Sequence, residues 1–231
     1  MKRFYSRVDR VAAEGGWSIE LDGRPVRTPA RALLVLPTDA LADAVTREWR
    51  AQGESVDPRA MPMTGLSNGA IDQIAPHRDD FIAGIARYGE SDLLCYRADS
   101  PETLVTRQAA EWDPLLDWAR ARYDVTLTVT QGVLPVTQPP RALERLSAAV
   151  AAFDPFLLAG LSTLVTLTGS LVCGLAVVEG GLDPDAVWRA AELDERWQAE
   201  CWGEDADAMA LRAARADEFA TSCAFCTMVR G

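Results

Sequence analysis

The chain has 231 residues, is 48% hydrophobic and carries a net charge of -11, with a sequence pI near 4.6. That balance excludes a nucleic-acid binder, which needs clustered cations to neutralise phosphate, and equally excludes a protein held on an anionic membrane surface. Lys2 is the only lysine, so arginine, the better bidentate partner of carboxylates, supplies the rest of the positive charge.

The opening "MKRFYSRVDR" runs directly into strand-like sequence and shows no secretory signal, which points to a reducing cytoplasm. Residues 4–11, the segment "WSIELDGRPVRTP" and residues 33–36 read as strands of a small antiparallel sheet. Trp17, Ile19 and Leu21 alternate with Ser18 and Glu20, so the apolar side chains share one face. Gly15-Gly16 and Asp22-Gly23 mark turns between strands. Gly15-Gly16 also lacks the third glycine of a dinucleotide fingerprint. Pro37, Thr38 and Asp39 then open a helix, "DALADAVTREWRAQ", in which Leu41, Ala44, Val45 and Trp49 recur at helical spacing.

Residues 53–65, "GESVDPRAMPMTG", lose all periodicity around Pro58 and Pro62. The predicted fold class is therefore α+β. Residues 1–58 form a small antiparallel β-sheet plus helix, and residues 59–231 a larger, mainly α-helical domain. Its candidate helices are 65–74, 78–88, 102–123, 140–152, a buried pair within 155–178, 184–202 and 206–228. The exception is "VTLTVTQ" at 125–131, whose alternation of apolar residues with threonine reads as a strand.

Residues 155–178, "PFLLAGLSTLVTLTGSLVCGLAVV", carry no charge over a length that could cross a bilayer. Glycines at 160, 169 and 174 interrupt the run, and its flanks, Asp154 and Glu179, are acidic where a span is anchored by Arg or Lys. Thr168-Gly169-Ser170 looks like a break with Ser170 capping a second helix, so two buried core helices are expected.

Little of the chain carries chemistry. His77, the only histidine, follows Pro76 at a predicted helix start and reads as a cap or surface residue. "GLSNG" at 65–69 has no lysine and no phosphate-loop spacing. Cys95, Cys173, Cys201, Cys223 and Cys226 are odd in number and are expected to form neither a disulfide framework nor a metal site. Cys223 and Cys226 have redox or zinc spacing, but no second pair or suitable histidines accompany them. They lie on nearly one helical face, and Cys223 joins a stripe of Met209, Ala213, Ala216 and Ala220 that suits close helix packing. No catalytic constellation, metal site or cofactor site is expected.

The most unusual stretch is "DERWQAECWGEDAD" at 194–207, bulky indoles set among carboxylates. As one helix, 184–202 carries two apolar stripes: Ala186, Ala190, Leu193, Trp197 and Cys201 on one side, Trp188, Ala191, Glu195, Ala199 and Trp202 nearly opposite. Such a helix lies between two layers or offers one stripe to a partner. Glu204, Asp205 and Asp207 follow its end, where carboxylates oppose the helix dipole, so stability does not explain them. A small-molecule hydrolase working through these C-terminal carboxylates is the alternative reading.

The motifs, taken in order, resemble the assembly chaperone family for the alpha subunit of the catalytic sector of mitochondrial and alphaproteobacterial ATP synthase. They are "KRFY" at 2–5, "LDGRPVRTPA" at 21–30, "EWRAQ" at 48–52, "MPMTGLSNGAID" at 61–72, "YGESDLLCYRA" at 88–98, "QAAEWDPLLDW" at 108–118 and "GSLVCGLAVVEG" at 169–180, closing with Glu195, Gln198, Trp202, Gly203 and Asp205. The resemblance implies a non-enzymatic chaperone without cofactors. It would transiently bind the free alpha subunit and shield the surface that later meets the beta subunit. It implies partner-binding roles for Glu195, Glu200, Trp202, Glu204 and Asp205. At Asp207, where the family pattern leads one to expect Glu, the shorter Asp keeps the charge with less reach. Eukaryotic relatives would be mitochondrial, and the bacterial cytoplasm is expected for this chain, with no nucleic acid and no integral membrane segment.

Overall fold

The computed structural model describes residues 2–231. They form two compact units. The first holds the chain up to residue 78 together with 154–160 and 224–231, and the second holds 79–153 and 161–223. The proline-bearing connector at 53–65 lies inside the first unit.

In the first unit β2 (Gly16–Leu21) is the central strand. It pairs antiparallel with β1 (Val8–Ala13) on one edge and with the short β3 (Arg24–Pro25) and β4 (Val35–Leu36) on the other. The Asp22-Gly23 turn has positive φ at both residues, as a tight hairpin demands. Gly16 is required by proximity: a Cβ there would stand 2.1 Å from the Leu36 carbonyl oxygen. Ile19 and Leu21 are buried as their alternation predicts, alongside Leu34, Leu36, Leu41 and Val45. The strand expected over 4–11 begins only at Val8. The amides of Ser6 and Arg7 just before it donate to the Asp22 carboxylate and are thereby taken out of the ladder.

Helix α1 (Asp39–Arg50) is capped by Thr38, whose hydroxyl accepts the Leu41 amide and donates to the Met228 carbonyl at 2.5 Å. Glu48, near its end, accepts the amides of Met63 and Thr64 and so caps α2 (Pro62–Gly69). The helices expected at 65–74 and 78–88 are not separate. After α2 the helical backbone passes through a π turn (Ala70–Ile74) and a 3-10 turn (Ala75–His77) into α3 (Arg78–Ala86). Pro76 supplies no N–H for a regular turn, and the widened turn accommodates it. His77 is exposed in mid-run, not at a helix start.

The second unit is helical. Its long α4 (Glu102–Tyr123) ends at Asp124 in the left-handed conformation. Trp112 on α4 is fully buried and donates its indole N–H to the Ala190 carbonyl at 2.7 Å. The strand expected over 125–131 is confined to β6 (Thr130–Gln131), parallel to β5 (Tyr96–Arg97). Val125 and Leu127 are buried as the alternation implied. Their backbone lacks a strand neighbour because the Gln138 side-chain amide fills that place: it accepts the Thr128 N–H and donates to the Thr128 carbonyl.

Helix α5 (Pro140–Ala151) precedes the apolar run, which is broken as expected into α6 (Pro155–Thr168) and α7 (Leu171–Val178). Gly169 turns the chain at φ +64, and the Ser170 hydroxyl accepts the Cys173 amide. The buried carboxylate of Asp92 accepts a second α7 amide, that of Val172, at 3.0 Å. Every residue of α7 is buried. Among the described residues no helix is long and apolar enough to cross a membrane.

The helix expected over 184–202 is two helices, α8 (Pro184–Ala191) and α9 (Leu193–Trp202), followed by α10 (Ala206–Arg230). The break is Glu192, whose side chain is drawn inward to Arg215 at 3.0 Å. The two apolar stripes therefore do not run along one rod. Nor does the small-residue stripe on α10 pack closely throughout. Met209, Ala213 and Ala220 are exposed, and Phe219, Ser222, Phe225, Cys226 and Val229 form the buried face instead.

Candidate partner-binding surface

Helix α9 ends at Gly203, which adopts φ +79 and donates its amide to the Ala199 carbonyl. Only Gly203, Glu204 and Asp205 separate the last residue of α9 from α10, so the two helices meet at a short corner. The Asp205 carboxylate accepts the Ala208 amide at 2.8 Å. Asp205 thus caps α10, and Asp207 lies in its first turn. The expected opposition to the C-terminal dipole of the preceding helix does not hold: the corner hands these carboxylates to the N-terminus of the next helix, where the dipole favours them.

A cleft of about 390 Å³ runs between α9 and the first half of α10. Its lining includes Glu192, Glu195, Trp202, Glu204, Asp205 and Leu211. The structure therefore brings together four of the five residues singled out by resemblance: Glu195, Trp202, Glu204 and Asp205. The fifth, Glu200, is exposed and instead forms a salt bridge to Arg107 on α4 at 2.7 Å. Glu204 accepts from Arg212 at 3.1 Å, and Arg212 also donates to the Glu195 carbonyl.

The floor of the cleft was not foreseen from sequence. Glu192 is only 3% exposed. Arg215 approaches one of its oxygens at 3.0 Å and Arg212 the other at 3.6 Å. Burial pushes its carboxyl above the ordinary range, opposed mainly by the Arg215 charge, with Glu195 and Glu204 adding to the rise. An ion pair between residues 192 and 215 leaves no mark in local periodicity. Its only sequence signal is an acid at the point where the helical stripes change face.

The indoles divide sharply. Trp188 is half-buried and packs on Phe219 with ring centroids 4.8 Å apart. Trp197 has the Arg107 guanidinium 5.5 Å from its ring. Trp202 is 78% exposed, with Leu211 at 65% and Met209 at 56% on the neighbouring helix. Scattered exposed apolar residues are ordinary on a protein surface. Here Trp202 and Leu211 line one cleft, rimmed by carboxylates.

Cys95, Cys173 and Cys201 are free thiols; Cys95 and Cys173 are buried, and desolvation, helped by the nearby Asp92 charge, pushes both up to about 12. Among the described residues no group of three or more His, Cys, Asp or Glu side chains is placed to hold a metal ion.

The model of the ATP12 chaperone protein family matches residues 2–120. The crystal structure of Atp12 from Paracoccus denitrificans is similar at 46% sequence identity and a TM-score of 0.95, with 99% of this chain and 98% of that one covered. The Atu1473 protein of Agrobacterium tumefaciens is 42% identical with a TM-score of 0.93, covering 98% of this chain and 85% of that one. Mitochondrial protein atp12 of Schizosaccharomyces pombe is 25% identical over a 222-residue alignment that covers 90% of this chain and 75% of that one.

Proposed function

The chain belongs to the ATP12 chaperone protein family, assembly chaperones of ATP synthase, and on that premise we propose that it binds the free alpha subunit and covers its beta-facing surface until the catalytic sector assembles. The contact surface in this reading is Glu195, Trp202, Glu204 and Asp205 around the cleft, with Glu200 beside it. The carboxylates serve recognition and not hydrolysis. The bacterial relatives from Paracoccus and Agrobacterium support the bacterial cytoplasm as the place of work.

The observation that carries this reading is the exposure of Trp202 beside Leu211 at the mouth of an acid-rimmed cleft. An indole left in water forgoes the free energy of burying a large ring, and it regains that energy when a partner covers it. Tryptophan anchors within polar rims are the pattern of interface hot spots. The surrounding negative charge speeds and orients docking on a complementary surface more than it tightens the complex, which suits a partner that must later be released.

The test is competition. Immobilised protein should retain isolated alpha subunit, and added beta subunit should lower that retention in proportion to its concentration. Retention that is unchanged at saturating beta subunit would contradict the shielding role, and absence of any retention would contradict the choice of client.

A further inference from the structure

The acid-rimmed cleft contains an unmet acceptor. Glu192 Oε2 is buried and accepts no hydrogen bond; Arg212 Nε pairs with it as an ion at 3.6 Å, too long for a hydrogen bond. A buried charged acceptor left unmade costs more than an ordinary hydrogen bond is worth, so such atoms are conspicuous in a folded protein. Glu192 is among the residues that line the cleft, and its Oε2 is covered, so a ligand reaches that oxygen only when the side chains around it shift.

The charges around that space do not balance. Glu192, Glu195, Glu204 and Asp205 line it, against Arg212 and Arg215. Both arginines are already committed, Arg212 to Glu204 and the Glu195 carbonyl, Arg215 to Glu192 and the Leu167 carbonyl. An entering cation therefore meets an excess of carboxylate, and an entering anion would meet no unengaged donor of these two. The wall is the exposed Trp202 indole. A planar cation that donates several hydrogen bonds and stacks on an aromatic face is a guanidinium, and an ammonium matches only the charge.

We infer that this cleft is a receptor for one arginine side chain of the bound subunit, which donates to Glu192 Oε2 and lies against Trp202. The inference rests on the chaperone reading for the identity of its occupant, but the site itself is testable without any client. The arginine enters between α9 and α10, its stem against Leu211, and its charge offsets the local excess. Glu192 recognises the cation at the floor, and Glu195 and Glu204 attract it at the rim.

The experiment is titration of the whole chain with N-acetyl-arginine amide, followed through the indole N–H resonance of Trp202. N-acetyl-citrulline amide, nearly the same shape without the charge, and N-acetyl-lysine amide are run in parallel. The arginine compound should give a saturable shift at Trp202, the lysine compound a weaker one and the citrulline compound none. Glu192→Gln should raise the half-saturating concentration about tenfold or more, the scale of a hydrogen bond to a charged group. Trp202→Ala, which leaves Glu192 in place, should weaken the response seen at the Ala208 amide and guards against a folding defect in the Gln variant. No saturable shift in wild type, an equal shift with citrulline, or an unchanged response in Glu192→Gln overturns the site. Capture of the alpha subunit by wild type without an arginine response would overturn the site and leave the chaperone reading standing. An arginine response in a protein that captures no alpha subunit would overturn the chaperone reading instead.

Discussion

The Asp205 carboxylate accepts the backbone N–H of Ala208 at 2.8 Å, so a residue proposed for partner binding is also the cap of α10. The two roles separate by substitution. Asp205→Ala removes both and should lower stability by about 1 kcal/mol. Asp205→Ser keeps a capping oxygen and loses the charge. Its urea midpoint should stay near wild type while capture of the alpha subunit weakens. Equal capture by wild type and the Ser variant would make Asp205 a cap and nothing more.

At Gly174 helix α7 meets α6 closely. A Cβ at this position would lie 2.5 Å from Val165 Cγ2 and 3.0 Å from Leu161 Cδ1. Gly174→Ala therefore overfills a packed interior and should cost about 1–3 kcal/mol in chemical unfolding. Val165→Ala added to it removes the offending methyl, so the double variant should be more stable than the two single losses predict together. Strictly additive losses would place the strain elsewhere.

Asp22 gives the acid limb of the stability curve a definite sign. It accepts the amides of Arg7 and Ser6, bonds that favour the ionised carboxyl and hold it below its ordinary value of 3.8. A depressed folded pKa stabilises above the unfolded value, and that contribution is lost as pH falls through the folded one. Asn at this position tolerates the positive φ of the turn and keeps the hairpin. The melting-temperature gap between wild type and Asp22→Asn should be widest near neutral pH and should close on acidification below about 3.8. A gap that is constant into the acid range would contradict the assignment.

The thiols should react in order of access. Cys201 is exposed on α9, whereas Cys95 and Cys173 are buried with thiols pushed up to about 12. Because the thiolate is the nucleophile, an alkylating reagent at neutral pH should modify Cys201 first and reach Cys95 and Cys173 only on unfolding. Peptide mapping after brief labelling checks this, and early labelling at Cys173 would mean that the α6–α7 layer opens readily.

Local pattern made much of this architecture readable. Alternation found the face of Ile19 and Leu21, and helical spacing found α1 and the limits of α4. Ser170, with a glycine before it, marked the break in the apolar run. The failures share one physical cause, a partner far away in sequence. The Gln138 amide replaces a strand beside Thr128, and Arg215 draws Glu192 inward and splits the expected helix in two. The same distance hid the floor of the cleft. The acids at 204–207 were visible, but the helix they belong to was misassigned, because a corner of so few residues puts one helix end and the next helix start almost at the same place. What drew attention to Trp202 was an indole among carboxylates together with the motif order, and its exposure is a tertiary fact.

The central claim is that the surface around Trp202 holds the alpha subunit. The most direct measurement is the affinity of isolated alpha subunit for wild type and for the Trp202→Ala, Glu195→Lys double variant, with thermal melts of both proteins. Both positions are exposed, so the melts should agree to within the small effect usual for surface substitutions, about 0.5 kcal/mol. Loss of a hot-spot indole together with reversal of a rim charge should weaken binding by about 2 kcal/mol or more, roughly thirtyfold. Equal affinity for the two proteins at matched stability would contradict the account, and the exposed tryptophan and its acidic rim would then have no part in holding the client.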